Sequence, residues 1–151
     1  MVKNELCSLL HVVLNNMKDF KATQKYLQTK VTVNNFDLTV YLAMNNKQII
    51  KGLVIKNQLK ENEGMLFVYQ LPAKYRFSMR GMKFPIDIIW LDNAHKVIHI
   101  KHSLEPCPSD VDCPKFIPSA AALYVLETIA GFSKRHDVNI GTQIHFYLNN
   151  K

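Results

Sequence analysis

The spacing of the hydrophobic residues changes near residue 30, and this change constrains the fold more than any other feature of the sequence. Before it, apolar residues recur every three or four positions, as on one face of a helix, at Leu6, Leu10, Val13, Met17 and Phe20. From Val31 onward, apolar and polar residues alternate, which is the period of a strand. The sequence therefore predicts an amphipathic basic helix in residues 1–30 and a single β-rich domain in residues 31–151.

Short apolar runs follow one another through the second part of the chain, separated by residues that favour turns. The expected strands span residues 31–33, 38–42, 65–69, 75–79, 86–91, 97–100, 121–128 and 142–148. Asn34 and Asn35 predict a tight hairpin turn, because asparagine tolerates positive φ. With short helices at 45–53 and 131–136, the pattern predicts an α+β fold. It is mainly antiparallel β, with a barrel-like or strongly bent sheet, an N-terminal helix and one or two short helices.

The charge of the chain is concentrated in its first part. The net charge is +7, and residues 1–60 carry nine lysines against three acids, so the remainder is nearly neutral. A basic region attracts nucleic acid, an anionic membrane surface or an acidic partner, but dispersed lysines are equally typical of a solubilising surface. No apolar run approaches the roughly 18 residues that span a bilayer. Residues 6–14 also lack the flanks of an export signal, so the expected location is cytoplasmic.

The cysteines pose a question that the sequence leaves open. Cys107 and Cys113 flank the middle of a proline-rich loop at 103–119, and a disulfide there would stabilise a segment without secondary structure. Two free thiols are the alternative, since the cytoplasm is reducing. A metal site with His99 and His102 is disfavoured, because the spacing matches no usual zinc motif. Neither a metal nor a cofactor is predicted.

Three polar residues form the main candidate site. Asp87 lies within an apolar strand, Glu127 follows another apolar run, and Arg80 precedes the first of them. Two carboxylates near one arginine could bind a polar ligand, and a buried carboxylate with a raised pKa could act as a general acid. The alternative is structural: an ion pair with Arg80, or hydrogen bonds that Asp87 accepts from backbone amides near Gly81.

Other kinds of site find less support. The serines lie in no nucleophile-elbow pattern, and the five glycines form no phosphate-binding loop. Basic and aromatic residues alternate in 74–77 and 80–84, as on surfaces that stack nucleic-acid bases. Core aromatics between exposed lysines would give the same pattern.

Several sequence fragments, taken in order, resemble one known family. They are Lys51-Gly52-Leu53, Glu63 to Val68, Phe77 to Arg80, Pro85 to Asp92, Tyr124 to Glu127, Ala130-Gly131 and Ile140-Gly141. Together they resemble the bacterial and archaeal domain of unknown function numbered 192 (DUF192), over about residues 31–148. The resemblance implies a small β-barrel-like α+β domain and no established reaction. Ser78 to Gly81 departs from the Trp-Met-Lys-Asn that is common in the family, and the N-terminal helix looks like an addition.

These observations favour a non-catalytic binding or interaction module. Its N-terminal helix and proline-rich loop would contact a protein partner or a second copy of the chain. The first alternative is a small-ligand-binding protein or an enzyme with a pocket at Arg80, Asp87 and Glu127. The second alternative is nucleic-acid binding through the basic N-terminal region.

Overall fold

Seven strands form one sheet that curls into a half-barrel. The structure is a computed structural model that describes residues 2–23 and 26–149, with side chains described at 6–18 and 26–149. The elements in chain order are α1 (Val2–Thr23), β1 (Gln28–Val33), β2 (Phe36–Ala43), α2 (Asn46–Lys51), a short helical turn at Gly52–Ile55 that we call the 52–55 turn, β3 (Glu63–Ala73), β4 (Ile86–Leu91), β5 (Val97–Leu104), β6 (Ala122–Ile129), α3 (Phe132–Arg135) and β7 (Ile144–Phe146). The predicted α+β fold with a bent, strand-rich sheet is confirmed.

The order of strands in the sheet is β5-β4-β6-β3-β2-β1-β7. Neighbouring strands are antiparallel except for β2 and β3, which are parallel because α2 and the 52–55 turn cross between them. The two ends of the sheet approach each other where Lys96 pairs with Gln143 in an isolated bridge. This contact bends the sheet into its curled form.

The sheet buries apolar residues on both of its faces. The inner face of the curl contains one cluster, with Val33, Leu38, Leu66, Ile89 and Leu126 among its members. The other face contains a second cluster, with Met65, Phe67, Ile88, Trp90 and Val125 among its members. Alternation along each strand explains the division, because successive side chains point to opposite faces. Leu53, Met79, Met82 and Phe84, contributed by the segments that cover the second face, complete its cluster.

One detail of the sequence-based prediction is wrong. The expected strand at 75–79 does not form, and Phe77 makes only an isolated bridge to Phe116. The side chains of Phe77 and Met79 instead pack into the second cluster, so this segment covers the sheet rather than joining it. The first strand, β1, starts at Gln28, and Tyr26 before it is already buried. The tight turn at Asn34-Asn35 is confirmed by positive φ at both residues.

The N-terminal helix differs from the rest of the chain in its exposure. α1 runs beside the 52–55 turn, yet most of its described apolar side chains, such as Leu6 and Leu10, remain more than half exposed. In the part of the chain that the structure describes, no helix is both long and apolar enough to cross a membrane.

Candidate functional site

A cavity of about 340 Å³ opens on the second face of the sheet. Strands β3 and β6 form its floor, α2 and the 52–55 turn form one wall, and residues 76–82 form the other. Its lining side chains are Ile49, Ile50, Lys51, Leu53, Val54, Phe67, Tyr69, Arg76, Phe77, Ser78, Arg80, Met82 and Glu127, together with the backbone of Gly52. The volume lies at the small end of the range for sites that bind small molecules.

The first wall is shaped by the turn between α2 and the residues that follow. The side chain of Asn45 caps α2 by accepting a hydrogen bond from the amide of Gln48, at 3.0 Å. Gly52 ends the helix with a φ of 51°, a conformation that side chains disfavour. A Cβ at this position would lie 3.4 Å from the Phe67 ring. That distance is an ordinary van der Waals contact, so the positive φ, and not a clash with the floor, favours glycine here.

The second wall is anchored by aromatic packing and by backbone hydrogen bonds. The Phe77 ring makes edge contacts with Phe67, at 4.9 Å between centroids, and with Trp90, at 5.9 Å. Lys83 Nζ donates a hydrogen bond to the carbonyl oxygen of Val54, at 3.2 Å, which connects the two walls. The cavity is therefore bounded by segments whose positions the core determines.

Arg80 is oriented by the loop that contains the two cysteines. Cys107 and Cys113 form a disulfide, with their Cα atoms 6.0 Å apart. The Cys107 amide donates to the carbonyl oxygen of Met79, at 3.0 Å, and its carbonyl oxygen accepts from the Gly81 amide, at 2.9 Å. Arg80 Nη1 donates to the carbonyl oxygen of Ser109 inside the disulfide ring, at 2.7 Å. The disulfide loop thus fixes one end of the guanidinium at the cavity rim.

Glu127 lies at the floor of the cavity, in the middle of the sheet. It pairs with Met65 of β3 and Ile88 of β4, so its side chain lies on the same face as these apolar residues. It is only 5% exposed, and burial raises its pKa from 4.5 to about 8. Its Oε2 atom has no hydrogen-bond partner among the described residues. At neutral pH, the group is a neutral carboxyl that can donate a hydrogen bond.

Tyr69 also lies on the cavity floor, on β3. Its ring stacks on that of Tyr75, with 3.4 Å between centroids and 9° between planes. The Tyr75 hydroxyl donates to the carbonyl oxygen of Leu71, and its own carbonyl accepts from Trp90 Nε1, at 3.1 Å. Burial, and secondarily the negative charge that Glu127 carries when ionised, raises the pKa of Tyr69. Its phenol therefore stays protonated and polar at neutral pH.

Asp87 lies on the opposite face of the sheet from Glu127. It pairs with Thr128, so its side chain points to the inner face of the curl. Its Oδ1 accepts from the amides of Ser103, at 2.7 Å, and Gly131, at 3.0 Å, and its Oδ2 accepts from the Ser133 amide, at 2.8 Å. Ser103 lies where the β4–β5 register shifts, and Gly131 caps α3. Asp87 thus connects the register shift between β4 and β5 to the start of α3.

The structure divides the three predicted site residues. Arg80 and Glu127 line one cavity, whereas Asp87 is absent from its lining and is saturated by backbone amides. Lys51, Tyr69 and Arg76 also line the cavity and were not singled out from the sequence. Several lining residues, including Lys51 and Glu127, belong to the sequence fragments that carry the family resemblance. The presence of these fragments around one cavity is the signal that could have located the site.

The basic–aromatic strings at 74–77 and 80–84 contribute to the cavity already described, through Arg76, Phe77, Arg80 and Met82, rather than to a separate site. Aromatics of the basic–aromatic strings, Phe77 and Phe84, pack in the core and do not present their faces to a nucleic acid. His99 packs against Trp90, with 5.4 Å between ring centroids, and burial lowers its pKa. No group of three or more potential metal ligands occurs within residues 2–23 and 26–149.

The domain is similar to proteins whose function is not known. The model of a family described as "Uncharacterized ACR, COG1430" matches residues 29–146, which confirms the resemblance seen in the sequence. No curated protein is significantly similar to the chain.

Two solved structures have a similar fold. One is a protein of unknown function from Novosphingobium aromaticivorans, with a TM-score of 0.68 and 25% identity over 80% of this chain and 84% of that one. The other is described as a putative transcription regulator from Sinorhizobium meliloti, with a TM-score of 0.69 and 24% identity over 80% of this chain and 95% of that one. The similarity to the latter concerns the fold alone.

Proposed function

We propose that the domain of this chain, which belongs to the uncharacterised family DUF192, is a non-catalytic module. It binds a small polar molecule in the cavity above Glu127. The observation that carries this proposal is the Glu127 carboxyl, which is almost fully buried and has an Oε2 atom without a partner in the described chain. A ligand in the cavity would reach this group from above.

The cost of Glu127 to the folded chain argues against a purely structural role. A buried polar group without a hydrogen bond destabilises a protein by roughly 1–3 kcal/mol. Asp87, on the other face, shows how this sheet satisfies a structural carboxylate, with three backbone donors. Glu127 lines an open cavity instead, where a bound molecule can supply the missing partner.

The other residues that line the cavity favour binding without catalysis. A hydrolytic or transfer reaction needs a nucleophile next to a base. Ser78 lines the cavity, but its hydroxyl donates to no base within the described residues. The walls are mostly apolar and contain a few polar groups, as in sites that hold a ligand.

A fragment screen followed by amide chemical shifts tests this proposal. Bound fragments should shift the amide signals of Leu53, Ser78 and Glu127, and should be recovered unchanged. Glu127→Leu should weaken their binding by about tenfold or more while keeping the domain folded, since an apolar side chain suits this face.

Three results would contradict the proposal. The first is a screen in which no fragment affects signals around the cavity. The second is a Glu127→Leu variant that binds as the wild type does. The third is chemical conversion of a bound fragment, which would make the domain an enzyme.

A second candidate function, self-association through α1, is favoured by a separate observation. Leu6, Leu10, Val13 and Met17 are each more than half exposed. Their alternating spacing of four and three residues is the repeat of a coiled-coil seam. A second copy of the helix, with the same seam, is the partner that this spacing fits.

The oligomeric state of the full chain tests this second function. Light scattering should show a dimer, and a variant that lacks residues 1–23 should be a monomer. A monomeric full chain, or a dimer that survives the deletion, would contradict self-association through α1.

A further inference from the structure

We propose that the ligand of this cavity is a small organic anion, with its negative group at Lys51, Arg76 and Arg80 and an uncharged polar group at Glu127. This inference rests on the binding function proposed above and specifies its ligand class.

The cationic side chains of the cavity lack acidic partners. Lys51, Arg76 and Arg80 all line it. Within the described residues, ion pairs use other cations, namely Lys30, Lys56, Arg135 and His136. Arg80 donates one hydrogen bond to a backbone carbonyl, which orients its guanidinium and leaves further donors unused. Three cations therefore surround the opening without an acid to neutralise them.

The interior of the cavity adds no opposing charge at neutral pH. Glu127 is the one acidic residue in its described lining, and its pKa of about 8 keeps most of the carboxyl protonated. The other titratable groups that face the cavity are Lys51, Tyr69, Arg76 and Arg80. The potential in the cavity is accordingly positive, which favours an anion.

The distribution of groups also defines the shape of the ligand. Apolar side chains, including Leu53, Phe67 and Phe77, line the same cavity as the cations and Glu127. A matching molecule has an anionic end, an apolar body and an uncharged hydrogen-bonding group. Carboxylate and phosphate both match the planar donors of arginine, so either can serve as the anionic end.

Matched fragments that differ only in charge test this inference on the full chain. The probes are 3-phenylpropionate and 3-(4-hydroxyphenyl)propionate, their neutral amides and the corresponding amines, with phenyl phosphate as a separate arm. Amide shifts around the cavity measure affinity. The acids should bind about tenfold more tightly than their amides, and the amines should bind least. A preference for phenyl phosphate would identify phosphate as the anionic group.

Charge-removing variants provide the control. Arg76→Gln and Arg80→Gln should each reduce the affinity for the acids by about fivefold or more and leave the amides unchanged. Lys115→Gln removes one exposed positive charge that does not line the cavity and should leave both affinities unchanged. The preference for acids should also decline as the pH rises through about 8 in the wild type, because Glu127 ionises, but not in Glu127→Gln.

The outcomes separate this inference from the proposed function. Amides or amines that bind at the cavity as tightly as the acids would overturn the anion specificity and leave the binding function standing. If neither these probes nor the wider screen shifts amide signals around the cavity, the proposed binding function is wrong, and the anion specificity is wrong as well.

Discussion

The two buried carboxyl groups of this domain lie on adjacent strands, β4 and β6, and their environments are opposite. Asp87 is fully buried on the inner face and accepts three hydrogen bonds from backbone amides. Glu127 is buried on the other face, lines a cavity and has an Oε2 atom without a hydrogen-bond partner among the described residues. The first group stabilises the fold, whereas the second costs stability and gives the cavity a polar floor.

This difference shows how to distinguish a structural polar residue from a functional one. Burial is common to both residues and does not separate them. The number of partners does, because a buried carboxylate without donors is retained only where something compensates for its desolvation. In this chain, the compensation that we propose is a ligand.

Removing Asp87 should have the largest effect. Asp87→Ala should lower the free energy of unfolding by about 5 kcal/mol, because it leaves three buried amides without an acceptor. Asp87→Asn, which keeps one acceptor oxygen but directs an amide nitrogen at Ser133, should cost about 2 kcal/mol. Urea unfolding measures both. An alanine variant whose free energy of unfolding is within about 1 kcal/mol of the wild-type value would contradict the structural role of Asp87.

Glu127 should make the stability of the wild type depend on pH. Below about pH 4.5, the carboxyl is protonated in both the folded and unfolded chain. Between about 4.5 and 8, only the unfolded chain loses the proton, so the free energy of unfolding falls, and above about 8 the loss is complete. At about 1.4 kcal/mol per pH unit over an interval of about 3.5 pH units, the total loss is on the order of 5 kcal/mol.

Glu127→Gln provides the matched control for this pH dependence, since the amide has the same shape and does not titrate. Its unfolding free energy should lose this component, so the difference between variant and wild type should change steadily from pH 5 to pH 8. Parallel profiles for the two proteins would show that Glu127 has an ordinary pKa.

Removing the disulfide should change the free energy of unfolding by less than the effects expected for either carboxyl group. Replacing both Cys107 and Cys113 by serine should lower the free energy of unfolding by about 2 kcal/mol, as expected for a short loop. Thiol titration of the unfolded, unreduced chain should find one free thiol, that of Cys7. Three free thiols, or an unchanged stability in the double variant, would contradict the bond.

Deleting residues 1–23 should have the smallest effect on stability, and the surroundings of both carboxyl groups should stay the same. The described side chains of α1 are almost all exposed, so the free energy of unfolding should change by less than about 1 kcal/mol. The pH profile of the truncated chain should match that of the full chain. An unfolded truncated chain would show that the helix belongs to the core.

The fold could be predicted from the sequence because its strands carry local signals. Asn34-Asn35 specifies a turn, and the apolar run at 86–91 specifies a central strand. The segment at 75–79 has the same alternation as a strand. Its apolar side chains, Phe77 and Met79, however, pack onto the face of the sheet, and its backbone does not join it. Periodicity reports which residues are buried, not whether their backbone pairs with a strand.

The candidate site could be predicted only in part, because strand register is not a local property. Arg80 and Glu127 line one cavity, whereas Asp87, which the sequence grouped with them, does not. Its separation depends on the pairing of Ile88 with Glu127, which places Asp87 on the other face. Lys51 and Arg76 belong to segments that meet only in the folded chain.

The central claim is that Glu127 is a neutral, unsatisfied carboxyl at the floor of a ligand cavity. Carbon-13 NMR of the side-chain carboxyl, assigned by comparison with Glu127→Gln, measures its titration directly. The structure predicts a midpoint near pH 8. A midpoint near 4.5, the ordinary value for glutamate, would contradict it, because the carboxyl would then be solvated or paired.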